Sequence, residues 1–178
     1  MNAVAWYAAR SSGIVAYLLL SASVVVGILM AGRARFTWPR FAVEDVHRFL
    51  GLLTGAFVGI HVFALFVDAY MPFSLTQLLV PGAASYRPFA SALGVVALEL
   101  LLALAITNRY RKRLSYGFWR KAHYLNFGLW ILAFGHGLLD GTDTGAAWAD
   151  LIYVVSGAAV AGLVTWRVLG PEPAPAAP

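Results

Sequence analysis

The sequence predicts an all-α integral membrane protein, a bundle of five transmembrane helices with its N-terminus outside the cell and its C-terminus in the cytoplasm. Of the 178 residues, 61% are hydrophobic and 12% are charged, whereas soluble domains contain about 45–50% apolar and about 25% charged residues. Five long runs are nearly free of charge. The basic residues cluster between these runs, on one predicted side of the membrane.

The five runs are long enough to cross a bilayer, which takes a helix of about 20 mostly apolar residues. With their flanking residues, the predicted spans cover residues 11–32, 47–68, 88–108, 120–139 and 147–168. The first span resembles a secretory signal peptide, but its apolar core exceeds the 7–15 residues typical of such a segment, which favours an uncleaved helix. Residues 1–170 are expected to form a single domain, followed by a Pro- and Ala-rich disordered tail at 171–178.

The distribution of basic residues fixes the predicted orientation. Five spans place the first and third loops and the C-terminus on one face, which carries eleven of the thirteen basic residues: Arg33, Arg35, Arg40, Arg48, Arg109, Arg111, Lys112, Arg113, Arg120, Lys121 and Arg167. Cytoplasmic loops carry the excess of Lys and Arg in membrane proteins. We therefore expect a multi-pass protein of the bacterial plasma (inner) membrane. Its expected partner is membrane lipid, and we expect no binding to nucleic acid.

Two outer segments differ from the spans. Residues 71–86 are apolar but contain Pro72 and Pro81, which disfavour a helix, so we expect an interfacial or re-entrant loop on the outer face. The loop before the last span gives the same face an acidic rim, which is more typical of a solvated loop than of a cation site. The rim consists of Asp140, Asp143 and Asp150.

All four histidines lie on the second and fourth spans. His47 and His61 are 14 residues apart, and His123 and His136 are 13 apart, which corresponds to about 20 Å along a helix axis. Both spans run from the cytoplasm outward. His47 and His123 therefore share an inner depth, and His61 and His136 share an outer one.

Two level histidine pairs suit two haems stacked across the membrane, each iron held by one histidine from each helix. The absence of cysteine excludes thiolate ligation and covalent haem attachment. A single histidine in a helix interface is often only a hydrogen-bonded packing residue, but ionisable groups within a bilayer are costly and usually functional. A di-metal site would need histidines three or four residues apart with carboxylates close by, and neither spacing provides this.

The unequal spacing predicts an irregularity in the fourth span. Fourteen residues turn a side chain by roughly 40° around a helix, and thirteen turn it by roughly 140°. The fourth span must therefore deviate from an ideal helix or meet its two cofactors from different sides. Glycines that would tolerate a deviation are Gly128, Gly135 and Gly137.

A ridge of small residues lies between the histidines of the second span. Gly51, Gly55 and Gly59 recur every four residues. Such a ridge permits close helix packing. It would equally leave room for a flat porphyrin beside the helix.

Several charged residues lie near the predicted haems. Arg48, Arg120 and Lys121 adjoin the inner histidines, and Arg87 is expected near the outer haem. These cations are candidates for pairing with haem propionates, although membrane topology alone accounts for all of them. Glu99 lies in the middle of the third span, where a carboxyl group is costly. It is expected to belong to a proton path, to pair with a histidine, or to be a protonated packing residue.

The fourth-span region resembles the ferric reductase-like transmembrane domain, a superfamily that includes NADPH oxidases and the haem subunit of periplasmic methionine sulfoxide reductase. The similar features are the motif W-R-x-x-H at residues 119–123, a second histidine 13 residues later and the run G-T-D-T at 141–144. The pair His47 and His61 fits the same pattern. The resemblance covers residues 43–166.

This resemblance implies two non-covalent b-type haems, an inner one on His47 and His123 and an outer one on His61 and His136. It implies electron transfer from a cytoplasmic reductant to an extracytoplasmic acceptor. Family members commonly have six helices, one more than predicted here. Many also carry a C-terminal flavin and nicotinamide domain, but we expect no flavin or nicotinamide site in this chain.

The expected donor is therefore a separate cytoplasmic flavin reductase or quinol, which leaves three functions open. The chain is a ferric reductase-like oxidoreductase, a haem-bearing anchor that relays electrons to a periplasmic partner oxidoreductase, or a scaffold whose histidines merely pack.

Overall fold

The computed structural model describes residues 4–31, 37–69 and 71–170. The described residues form six α-helices and one 3₁₀ turn, Arg111–Arg113, with no β-strand among them. The predicted tail at 171–178 lies outside the described residues, as do Arg33 and Arg35 of the first loop. The helices are α1 (Val4–Ala31), α2 (Arg40–Val67), α3 (Leu75–Leu79), α4 (Pro88–Arg109), α5 (Tyr116–Asp140) and α6 (Ala147–Leu169).

Four of these helices, α1, α2, α4 and α6, are long and apolar enough to cross a membrane. With 25 residues, α5 is also long enough, because a helix rises about 1.5 Å per residue. Its mean hydropathy is lowered by His123, Asn126 and His136, which are the polar residues of its central part. The architecture is that of an all-helical, multi-pass membrane protein, and α5 is the helix that carries polar groups into it.

Local signals set several helix ends. The Ser115 hydroxyl accepts a hydrogen bond from the Phe118 backbone N–H at the start of α5, as Ser commonly does at a helix N-terminus. Pro88 begins α4, where its missing N–H costs nothing. The preceding residue, Arg87, adopts the left-handed backbone region with φ of 40°.

The segment 71–86 contains a helix that the sequence analysis did not predict. The five-residue α3 lies between Pro72 and Pro81, so the prolines limit the helix rather than exclude it. Ser74 and Gln77 form a reciprocal capping box at its start. The spacing Ser-x-x-Gln was the signal for this helix.

The helices pack as two antiparallel pairs. The most extensive contacts join α1 to α2 and α4 to α5, and α1 also packs on α5 and α6. The shared core is apolar. Serine hydroxyl groups form hydrogen bonds with the few polar groups of the aromatic side chains in it. The indole Nε1 of Trp130 donates to the Ser21 Oγ at 2.9 Å, and the Tyr17 and Ser156 hydroxyls are hydrogen-bonded at 2.5 Å.

The outer surface of the bundle is apolar too. Large side chains such as Leu52, Phe63 and Val154 are 64–71% exposed. Extended apolar surface of this kind marks an interaction with membrane or partner. Since the same helices are long enough to span a bilayer, lipid is the natural environment of this surface.

Candidate functional site

The structure brings the four histidines together as two pairs. The ring centroids of His47 and His123 lie 6.0 Å apart, and those of His61 and His136 lie 6.3 Å apart. The ring planes meet at 72° and 76°. These are the two pairs that the helical spacing predicts. Iron ligation by them stays a prediction.

The gap within each pair fits one metal ion. For an ion held between two imidazoles, a bond of about 2 Å to each nitrogen and about 1.2 Å from that nitrogen to its ring centre place the centroids about 6.4 Å apart. Among the residues described, no group of three or more His, Cys, Asp or Glu side chains is placed to hold a metal. A haem needs only two axial ligands from the protein, so the histidine pairs fit a haem rather than a site built from side chains alone.

Three of the four rings lie against a glycine of a neighbouring helix. A Cβ added at these glycines would lie only 2.7–3.3 Å from a ring atom. Each glycine therefore makes a notch that the ring fills. The notches pair Gly13 with His61, Gly27 with His47 and Gly94 with His136.

The same three rings donate a hydrogen bond to the backbone four residues before the notch. The acceptors, at 2.8–3.0 Å from Nδ1, are the carbonyl oxygens of Ala9 for His61, Ser23 for His47 and Ala90 for His136. A donating Nδ1 leaves the Nε2 lone pair free for a metal, and metal-ligating histidines usually make such a bond.

Sequence reasoning missed the notches. Their signal was present, because Gly13 and Gly27 are separated by the same 14 residues as His47 and His61.

His123 is held differently. Its ring stacks on the indole of Trp119, with centroids 5.2 Å apart and an interplanar angle of 25°. The Trp119 Nε1 donates to the Asn108 Oδ1 at 3.0 Å, which anchors the indole to the end of α4. The Asn126 amide lies 3.4 Å from the His123 Nδ1 and donates to the His123 carbonyl at 2.7 Å.

The 13-residue spacing is accommodated without a break in the helix. α5 is one continuous α-helix from Tyr116 to Asp140. The His136 ring leans on α4, whereas the His123 ring lies on a residue of α5 itself. The three glycines serve helix packing instead, because they face side chains of neighbouring helices: Gly128 faces Leu100, Gly135 faces Leu93 and Gly137 faces Tyr153.

A mainly apolar cavity of about 240 Å³ adjoins His61 and His136. Its walls come from α1, α2, α4, α5 and α6. The segment 71–86 contributes a further wall through Met71, Phe73, Gln77, Leu78 and Tyr86. The predicted loop therefore covers this end of the bundle.

The aspartates near this cavity are engaged by the fold. Asp143 forms an ion pair with Arg10 of α1, in which the Arg10 Nε donates at 3.1 Å. Asp150 accepts from the Gly145 N–H at 3.0 Å. Asp140 accepts from the Ser91 hydroxyl at 2.9 Å and lies 3.6 Å from the His136 Nδ1. Its buried Oδ1 has no hydrogen-bond partner in the described part of the chain.

The predicted inner cations are exposed at the end of the bundle that holds His47. The Arg48 guanidinium lies 3.4 Å from the Asp45 carboxylate. Arg120 donates to the hydroxyls of Tyr116, at 2.7 Å, and Tyr124, at 3.3 Å. Lys121 is exposed as well. Pairing of these cations with haem propionates stays a prediction.

Arg87 and Glu99 contact neither histidine pair directly. The Arg87 guanidinium donates to the Leu139 carbonyl at 2.7 Å, which ties the start of α4 to the end of α5. Glu99 lies on the exposed side of α4. Its carboxylate makes no hydrogen bond or ion pair with the described residues, so no histidine partner is formed.

The glycine ridge of α2 packs against no described helix. A Cβ at Gly51, Gly55 or Gly59 would meet no described atom within 4 Å. Close helix packing within the described chain therefore does not explain the ridge. The porphyrin interpretation of the open space stays a prediction.

The family model described as "Ferric reductase like transmembrane component" matches residues 12–134, more than half of the chain. The chain belongs to the ferric reductase-like transmembrane family. The match includes His47, His61 and His123, and His136 lies two residues beyond it. This family is generally associated with haem, and membership indicates an oxidoreductase-related role in electron transfer across a membrane. No curated protein and no solved structure matches the chain.

The notch geometry predicts an unequal effect of two alanine substitutions. Gly13→Ala places a methyl group 2.9 Å from the His61 Nδ1, which displaces the ring from its seat. We expect the haem content to fall from two to about one per chain, measured by the absorbance of the pyridine haem complex. Gly162→Ala, on α6, is the matched control, because its methyl group enters open space away from both histidine pairs. Equal haem content in the two variants would contradict the role of the notch.

Proposed function

We propose that this chain carries electrons across the bacterial plasma membrane through two b-type haems, each held by two histidines. The observation that carries the proposal is that α2 and α5 bring two pairs of imidazole rings together at two depths. The ring centroids are 6.0 Å apart in one pair and 6.3 Å apart in the other. Family membership supports the same function. The inner haem is assigned to His47 and His123, and the outer haem to His61 and His136.

The proposed topology has five crossings, with α5 as the fourth. Its two histidines meet those of α2, which is itself long and apolar enough to span. The end of the bundle with His47 and His123 carries the 3₁₀ turn of Arg111–Arg113. Arg10 and Arg87 lie at the opposite end. By the positive-inside rule the end with His47 faces the cytoplasm.

The protein fixes the ligands, and the bound haem supplies reversible one-electron chemistry. Backbone carbonyls that accept from the Nδ1 of His47, His61 and His136 orient the rings and raise their basicity. If one histidine of α2 and one of α5 held each haem, an electron acceptor would receive its electron at the haem edge. The mainly apolar cavity beside the outer pair would offer a haem held there an apolar environment.

The donor is proposed to be a separate cytoplasmic flavin reductase or quinol. At the outer end, one observation argues against capture of a metal cation by the acidic rim. Asp143 and Asp150 have partners within the chain, and Asp140 accepts from Ser91 through its Oδ2, while its buried Oδ1 has no hydrogen-bond partner among the described residues. This supports the second candidate function, a membrane anchor that relays electrons to a periplasmic oxidoreductase.

Vesicles test the proposed electron transfer. Proteoliposomes that enclose dithionite should reduce ferricyanide added outside, and His47→Ala should abolish the transfer because the inner haem is lost. The protein need not be inserted in a single orientation, because the reductant is present only inside the vesicles and the acceptor only outside. Reduction no faster than in protein-free vesicles would contradict the proposal.

Ferric chelate reduction without any partner would favour the autonomous reductase over the anchor.

The ring geometry predicts a spectroscopic signature. Imidazole planes at 72° and 76° are close to perpendicular, and bis-histidine haems with perpendicular rings give strongly anisotropic low-spin EPR signals. We expect both oxidised haems to show a single dominant feature at large g. A rhombic spectrum of the kind given by parallel rings would contradict the assigned pairing geometry.

A further inference from the structure

Glu99 is a carboxyl group inside a predicted span that the proposed electron path does not use. It lies near the middle of α4, ten residues before Arg109 and eleven after Pro88, so each end of the helix is about 15 Å away. The side chain is too short to reach either membrane interface. It is exposed on the bundle surface and makes no hydrogen bond or ion pair with any described residue.

An ionisable side chain at this depth is expensive, and such residues usually face a protein interior and find a partner. In the isolated chain Glu99 would face hydrocarbon. A partner from outside the chain is therefore needed to satisfy its carboxyl group.

The residues around Glu99 form a regular seam. The α4 stripe consists of the exposed residues Phe89, Val96, Glu99, Ala103 and Ile106. Their spacings of seven, three, four and three residues are those of the a and d positions of a heptad, along which two helices pack side by side. The opposite face of α4 holds its buried residues, including Ala97 and Leu104. The stripe is thus a helix-packing face that the described residues leave uncovered.

We propose that the α4 stripe is the interface of a homodimer, in which Glu99 of each chain hydrogen-bonds Glu99 of the other. All copies insert in the same orientation, so a twofold axis along the membrane normal brings each residue to its own counterpart at the same depth. A protonated carboxyl group has one donor and free acceptor positions. Two copies of Glu99 therefore satisfy each other, and Ala103 beside them permits close approach of the helices.

A second copy fits this face better than a different protein. Among the described residues, no Lys or Arg lies on the α4 stripe, so a second copy offers Glu99 a carboxyl group rather than a cation. Glu99 supplies that group for itself. A different partner would need its own polar side chain at the same depth, and the purified chain would then be monomeric.

Single cysteines test the interface, because the chain has no cysteine of its own. Ala103→Cys lies on the stripe, and Ala161→Cys, exposed on α6, is the matched control. Oxidation by copper phenanthroline in membranes should cross-link Ala103→Cys into dimers at least about fivefold more than Ala161→Cys. Adding Glu99→Leu should weaken the dimer about tenfold, whereas Glu99→Gln should retain it, because an amide also donates and accepts.

The haem absorbance of each variant reports whether the bundle is intact. Equal cross-linking of the two cysteine variants overturns the proposal, and so does undiminished cross-linking in Glu99→Leu with normal haem content. If Glu99→Leu loses its haem, the mass of the wild-type holoprotein in nanodiscs decides. Two chains support the interface, and one chain overturns it.

Discussion

The structure depends on one geometric constraint, which is that two imidazoles face each other about 6 Å apart at each of two depths in the bundle. Imidazole is a polar group in the membrane-spanning part of a mainly apolar helix, so the second nitrogen of each ring also needs a partner. Three rings do this by donating to a helix carbonyl beside a glycine notch. This explains why α1 packs so closely on α2, and α4 on α5.

The two pairs are not equivalent. At the end with His61, both rings are seated on backbone of neighbouring helices, and the segment 71–86 covers the adjoining cavity. At the end with His47, His123 depends on the half-buried Trp119, whose indole is anchored on Asn108. In the proposed topology Trp119 lies where electrons enter from the cytoplasm. The inner ligand is thus connected by stacked rings to the surface from which a donor approaches.

Sequence reasoning reached the features that depend on long-range periodicity. Helices long enough to span, and the relative depth of the histidines, follow from apolar run length and from 1.5 Å per residue. Contacts between helices could not be read in this way. Gly51, Gly55 and Gly59 form a ridge that is visible in the sequence, yet they face open space. The 14-residue spacing of Gly13 and Gly27 acquires its meaning only from the helix that packs on them, as does the place of Gly94. The short α3 has too few residues for periodicity, and only its capping residues marked it.

The central claim is that each haem is shared by one histidine of α2 and one of α5. The most direct measurement is a redox titration of visible spectra for His61→Ala and His136→Ala, each in purified holoprotein. The account predicts that both variants lose the same haem and keep the other, with an unchanged midpoint potential for the haem that remains. Loss of different haems in the two variants, or loss of neither, would contradict it.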